Sequence, residues 1–230
     1  MSKATAAGWH KEIEYKYKLP SKNTAYSVNR LAIKNGFQLK SYTLQRDWIP
    51  DFTDWRLKNS NLLLRFRESF DLDTDAISTL ITLKIKRMVG NESQNLELEA
   101  TIEQNSNIQA IEEYIYKSIG RSIDLLRIVK RQGEYLDEIK LNTHRMLLEK
   151  KRRELIAPDR KTLLAIDELP HPLGFFAELE ALSIINTIQD YAKILELRQS
   201  WLVAEDYGEL VKNLDKKNRN QRTLIFNPRA

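Results

Sequence analysis

Apolar and long charged side chains alternate along much of this chain. From Glu12 to Leu19, one side of an extended segment carries Glu12, Glu14, Lys16 and Lys18, and the other carries Ile13, Tyr15, Tyr17 and Leu19. Successive side chains of a strand point to opposite faces, so this pattern predicts a strand. The same period sets Arg65 and Arg67 against Leu64 and Phe66, and Thr82, Lys84 and Lys86 against Leu83 and Ile85. It sets Glu97, Glu99 and Thr101 against Leu96, Leu98, Ala100 and Ile102. Near the end, Phe176, Glu178 and Glu180 oppose Phe175, Ala177, Leu179 and Ala181. Clean alternation predicts antiparallel pairing, because parallel strands are usually buried on both faces. A sheet with one wet face satisfies the pattern. So does a closed barrel with the charged faces inward, which would also leave no exposed edge.

Helical spacing appears in three places. Val28, Leu31 and Ile33 predict a helix over Thr24–Asn35, ahead of Gly36. Ile108, Ile111, Ile115 and Ile119 predict one over Ile108–Ile119, ahead of Gly120. Ile188, Tyr191, Ile194 and Leu195 predict a third from about Thr187 to Val203. The stretch Ile123–Leu141 fits helix or hairpin and is taken as helix. The segment holding Trp48 and Trp55 looks like a loop; the two rings are packing residues or a gate.

With 7 glycines and 6 prolines there is no linker, so one domain is expected over residues 1–230, with a core of about 9–205 and a polar tail of about 213–230. The absence of cysteine excludes disulfides and thiolate metal sites. No apolar run approaches the ~20 residues of a membrane span, and a cytoplasmic location is expected. Net charge is only +5, from 37 basic and 32 acidic residues, which favours anionic partners weakly.

Gathered in one cavity, the charged faces would sort by sign. Glu12, Glu14, Glu97, Glu99, Glu178 and Glu180 supply carboxylates; Lys16, Arg65, Arg67, Lys84, Lys86, Lys151 and Arg153 supply cations. Uncompensated buried charge is costly, so each group must pair or meet a ligand. Carboxylates suit Mg²⁺ or Mn²⁺, which bind oxygen and share their shell with phosphates. Arginine and lysine suit phosphate oxygens. Each Glu-x-Glu pair alone is equally a solvated strand face. His10, His144 and His171 have no metal-ligand spacing and are read as structural.

The order of these motifs is specific. Glu12-Ile13-Glu14-Tyr15-Lys16 is followed by Leu64-Arg65-Phe66-Arg67, preceded by Gln45-Arg46-Asp47-Trp48. Then come Thr82-Leu83-Lys84, Glu97-Leu98-Glu99, Lys151-Arg152-Arg153, Asp167 and Gly174-Phe175-Phe176-Ala177-Glu178-Leu179-Glu180. This series resembles the CYTH family, the triphosphate tunnel metalloenzymes, over nearly all of Glu12–Glu180. The tetrad Lys150-Lys151-Arg152-Arg153 offers two frames; Lys151 and Arg153 are preferred because Leu155 and Ile156 then follow as the family's apolar pair does. Asn95 stands where the family usually has a base, and Asp167 lies one place from its usual offset to Gly174.

The resemblance implies an α+β fold: a closed antiparallel β-barrel of about eight strands with helices packed outside. It implies that Glu12, Glu14, Glu178 and Glu180 hold Mg²⁺ or Mn²⁺ and, with Lys16, form the catalytic set. Lys16, Arg65, Arg67, Lys84, Lys86, Lys151 and Arg153, with Glu97, Glu99 and Asp167, would bind the substrate. The expected activity is hydrolysis of inorganic, thiamine or nucleoside triphosphate. The alternatives are a class IV adenylyl cyclase and a non-catalytic polyphosphate- or RNA-binding module. The expected partner is a small-molecule triphosphate; a membrane is not expected, nucleic acid is disfavoured, and a homodimer stays open.

Overall fold

The computed structural model describes residues 9–86, 88–89, 92–130, 141–181, 185–215 and 223–224. Its eight long strands are β1 (His10–Leu19), β2 (Gln38–Phe52), β3 (Leu62–Asp71), β4 (Ile77–Ile85), β5 (Glu92–Thr101), β6 (Leu141–Ile156), β7 (Thr162–Leu169) and β8 (Gly174–Ala181). They form a ring in the order β1–β8–β7–β6–β2–β3–β4–β5, each neighbouring pair antiparallel. Pairing of β1 with β5, His10 opposite Glu97 and Glu14 opposite Ser93, closes it. The barrel expected from the resemblance is therefore present, and its charged faces point inward.

Six helices are found among the described residues: α1 (Lys22–Lys34), α2 (Arg56–Asn59), α3 (Asn105–Ile119), α4 (Leu125–Lys130), α5 (Ile185–Ile194) and α6 (Tyr207–Asp215). Ser21 caps α1 by accepting from the Thr24 amide at 3.2 Å. Gly120, with φ +68°, ends α3 in the left-handed conformation that a side chain resists.

The outward strand faces make two separate cores. Leu64, Phe66, Ile81, Leu83 and Leu98 of β3–β5 pack against Ile108, Ile111 and Ile115 of α3 and Leu125 and Ile128 of α4. Ile13, Tyr17, Leu155, Leu164 and Leu179 pack against Ala25, Val28 and Ala32 of α1 and Ile188, Ala192 and Leu195 of α5. Each fully buried Ile or Leu contributes about 1.5–3 kcal/mol. These cores hold the barrel from outside, so its interior is free to be polar.

A third cluster lies inside one end. Leu148 and Ile49 face inward there and meet Phe176, Leu169 and Leu173, with Tyr207 and Val211 of α6 inserted among them. A short strand β9 (Leu202–Val203) brings the chain to this point by pairing with β1 where β5 has ended, Lys16 opposite Val203. One end of the tunnel is thus plugged by α6.

Three expectations change. The helix expected to reach Val203 ends at Ile194, where Leu195 and Leu197 amides bond back to Tyr191 and Ala192 around left-handed Glu196. The Ile123–Leu141 stretch holds the short α4, residues 131–140 lie outside the described part, and β6 begins at Leu141. The presumed loop before Arg65 contains the 15-residue strand β2. Trp48 faces outward, its ring 4.9 Å from Phe66, so it packs in the outer core and does not gate the tunnel.

Candidate functional site

The tunnel encloses about 1470 Å³. Period two decides what lines it, and ring order decides what faces what. Strands β5, β1 and β8 are contiguous and present Glu97, Glu99, Glu12, Glu14, Glu178 and Glu180, with Lys16 among them. The arc β6, β2, β3 and β4 presents Lys150, Arg152, Arg65, Arg67 and Lys84, with Asp47, and meets the first where β4 pairs with β5, Lys84 beside Glu97. A carboxylate wall therefore faces a cationic one.

Ion pairs join the walls. Lys84 Nζ lies 3.0 Å from Glu12 Oε2, 2.5 Å from Glu97 Oε1 and 3.7 Å from Glu14 Oε2. Lys16 Nζ lies 3.1 Å from Glu14 and 3.2 Å from Glu178, and stands over the Tyr207 ring at 4.4 Å. Burial alone would depress the Lys16 ammonium, but these two carboxylates outweigh it and hold its pKa above the ordinary value. Arg67 clamps Asp47 with two hydrogen bonds, 2.6 and 2.7 Å. Arg152 makes the same fork to Asp167, 2.7 and 2.6 Å, donates also to Glu178, and lies 3.7 Å from Glu180. The Tyr207 hydroxyl donates to Asp167 at 2.7 Å.

Other charges are not fully compensated. Arg65 donates to Thr82 Oγ1 at 3.2 Å and reaches Glu99 only at 3.9 Å. Its pKa is lowered by burial and then by neighbouring Arg67. Lys150, 2% exposed, has Asp167 3.5 Å away and lies 5.0 Å from the Tyr207 ring centre. Burial, then Arg152, pushes its pKa down to about 8. On the other wall, burial, then Glu12, Glu178 and Glu14, push the Glu180 carboxyl well above the usual range, against the pull of Arg152. The cationic wall thus has room for an anion, and the carboxylate wall for a cation.

Among the described residues, no three carboxylate or imidazole groups converge on one point as a metal site. The glutamates lean instead on Lys16, Lys84 and Arg152. The donor set still fits a hard divalent cation. It is all oxygen, and the mutual repulsion that burdens Glu180 is what such a cation would relieve.

Glu12, Glu14, Lys16, Arg65, Arg67, Lys84, Lys86, Glu97, Glu99, Glu178 and Glu180 all line the tunnel. Lys86 stands at the plugged end and pairs with Asp206. Asp167 is fully buried behind the lining and anchors Arg152, Lys150 and Tyr207. The frame preferred for the tetrad is corrected: Lys150 and Arg152 point inward, opposite Gln45 and Thr43 of β2. Lys151 and Arg153 share the outward face with core residue Leu155, and Arg153 lies over the Tyr42 ring at 4.8 Å. Apolar Leu155 and Ile156 straddle both faces, so the sequence does not resolve the frame.

Asp47, Gln45, Thr43 and Tyr207 were missed. The first three sit on β2, whose two faces mix apolar and polar residues, with Pro50 interrupting them. Tyr207 is brought in by a helix remote in sequence, which no local signal announces.

No family model and no curated protein matches the sequence. Solved structures do match. PH1819 from Pyrococcus horikoshii OT3 is 17% identical with a TM-score of 0.63, over 88% of this chain and 99% of that one. A candidate adenylate cyclase from Vibrio parahaemolyticus is 14% identical, TM-score 0.58, over 88% and 98%. HpAC1 from Hippeastrum, a candidate adenylyl cyclase with a dominant triphosphatase activity, is 20% identical, TM-score 0.53, over 81% and 88%. The chain therefore shares the fold of these structures, a closed eight-stranded antiparallel barrel with helices packed outside.

Proposed function

We propose that this protein is a triphosphate tunnel metalloenzyme that hydrolyses a triphosphate with the help of a divalent cation. One observation carries the reading: a buried cationic wall whose Arg65 and Lys150 lack full compensation faces a carboxylate wall whose Glu180 is crowded by its own kind. A metal-bound polyphosphate supplies what each wall lacks.

Arg65, Arg67, Lys84, Lys150 and Arg152 would hold the phosphate oxygens, with Lys16 between the walls. Phosphoryl transfer asks a protein mainly for positioning and charge neutralisation, and this ring of fixed cations provides both. Arginine forks suit paired phosphate oxygens. Glu12, Glu14, Glu178 and Glu180 would hold Mg²⁺ or Mn²⁺, which when bound polarises phosphate and lowers the pKa of water. The α6 plug closes one end, so the substrate enters from the other, past Lys40, Arg160 and Lys161.

Hydrolysis ranks ahead of cyclisation because the tunnel's charged lining, among the described residues, suits phosphate and does not mark out a base. The structurally similar HpAC1 carries a dominant triphosphatase activity, which supports the same order. The test is incubation of purified protein with Mg²⁺ or Mn²⁺ and, separately, triphosphate, thiamine triphosphate and ATP, with every product identified. Orthophosphate is expected, and turnover should nearly vanish in folded E12Q and K84A variants. Cyclic AMP with pyrophosphate would make the protein a cyclase. Tight triphosphate binding without any product would make it a binding module.

A further inference from the structure

Gln45 lies midway along β2, inside the tunnel and 5% exposed, and its Oε1 is buried without a hydrogen-bond partner among the described residues. Its cross-strand neighbours are Lys150 of β6 and Ser69 of β3. Along its own strand, the next inward residues are Asp47, which clamps Arg67, and Thr43, whose Oγ1 is also buried and unpaired opposite Arg152. Buried polar groups are nearly always paired, so an unpaired one in a cavity calls for an explanation.

The chemistry of the atom narrows that explanation. A carboxamide oxygen only accepts hydrogen bonds. Phosphate oxygens are acceptors too, so bound triphosphate cannot satisfy it. The other strong acceptors nearby, Asp47 and Asp167, are ionised and occupied by arginine forks. Gln45 Oε1 is thus a neutral acceptor set beside cations that would hold phosphate. The donor that belongs beside that phosphate is the O–H of the nucleophile.

We propose that Gln45 positions the attacking water, an inference that rests on the hydrolase reading above. The carboxamide accepts one hydrogen bond from the water and takes no proton. The water oxygen bonds to the terminal phosphorus as the bridging P–O bond breaks, and that bond's electron pair stays with the leaving diphosphate oxygen. Of the two water protons, one remains on the released phosphate and the other passes to solvent. A neutral acceptor suits this task, since a carboxylate in its place would repel the substrate and pair with Lys150.

The experiment compares wild type with Gln45→Leu and Gln45→Glu, measuring kcat, KM and binding of a non-hydrolysable imido-triphosphate. Loss of nucleophile alignment costs about 100-fold in rate. Gln45→Leu should therefore lose about that factor in kcat, with KM and analogue affinity unchanged. Gln45→Glu keeps the acceptor, so it should keep most of kcat while raising KM. Unchanged kcat in Gln45→Leu overturns the inference. So does a rise in KM and weaker analogue binding with kcat kept in that variant, which would make Gln45 an amide donor to phosphate. A wild type that hydrolyses no triphosphate with either metal removes the parent reading and this one with it.

Discussion

Asp47 offers the clearest test of how the tunnel wall is held. Both members of its pair with Arg67 are buried, 4% and 8% exposed, and two short hydrogen bonds join them. Burial alone would raise the Asp47 pKa, but the Arg67 charge and hydrogen bonds outweigh it and hold it well below the carboxylate range. Breaking a buried pair from one side costs ~3–5 kcal/mol, because the remaining charge is stranded. Asp47→Asn keeps one acceptor oxygen, so about 3 kcal/mol is expected. Urea unfolding followed by tryptophan fluorescence, with an unchanged m-value, reads this directly. The double variant D47N/R67M should recover part of the loss, since no charge is then left stranded. The pH dependence has a defined sign. The Asp47 contribution is present above its unfolded pKa of about 3.9 and is lost as pH falls through the lower folded value, so D47N flattens the acid limb. A single-variant cost under about 1 kcal/mol, or strict additivity in the double variant, would refute the stranded-charge reasoning.

Three further outcomes follow from the same wall. K150A and R152A should each weaken triphosphate turnover about 100-fold or more, whereas K151A and R153A should leave it nearly unchanged; the reverse would restore the other frame. Lys150 titrates near pH 8 in the free protein, and a bound triphosphate favours its charged form. Affinity measured by calorimetry should hold steady below that pH and fall above it as binding takes up a proton, and K150M should remove the slope. Tyr207→Phe deprives buried Asp167 of a donor and should cost about 1–2 kcal/mol, or about 2–4 °C in Tm for each kcal/mol; an unchanged melting curve would show that the hydroxyl does not support the plug.

Much of this protein was legible in the chain itself. Alternation along Glu12–Leu19, Glu97–Ile102 and Phe175–Ala181 assigned each residue a face, because side-chain direction in a strand is a local property with period two. The order of motifs implied the barrel and most of the lining. Face assignment failed where its signal is weak. Lys150–Arg153 offers four like charges before an apolar pair that occupies both faces, and only pairing with Gln45 and Thr43 selected Lys150 and Arg152. Strand β2 was hidden because both its faces are mixed. Ring closure decided that carboxylates on β5, β1 and β8 look across at cations on β6 and β3, with Lys84 of β4 at the join. The remaining features depend on distance in space between residues remote in sequence. Tyr207 meets Asp167, 40 positions away, and Arg67 meets Asp47, 20 away. Which charges end compensated, and which are left for a ligand, is set by those meetings and by the low dielectric of the closed barrel, which no local pattern encodes.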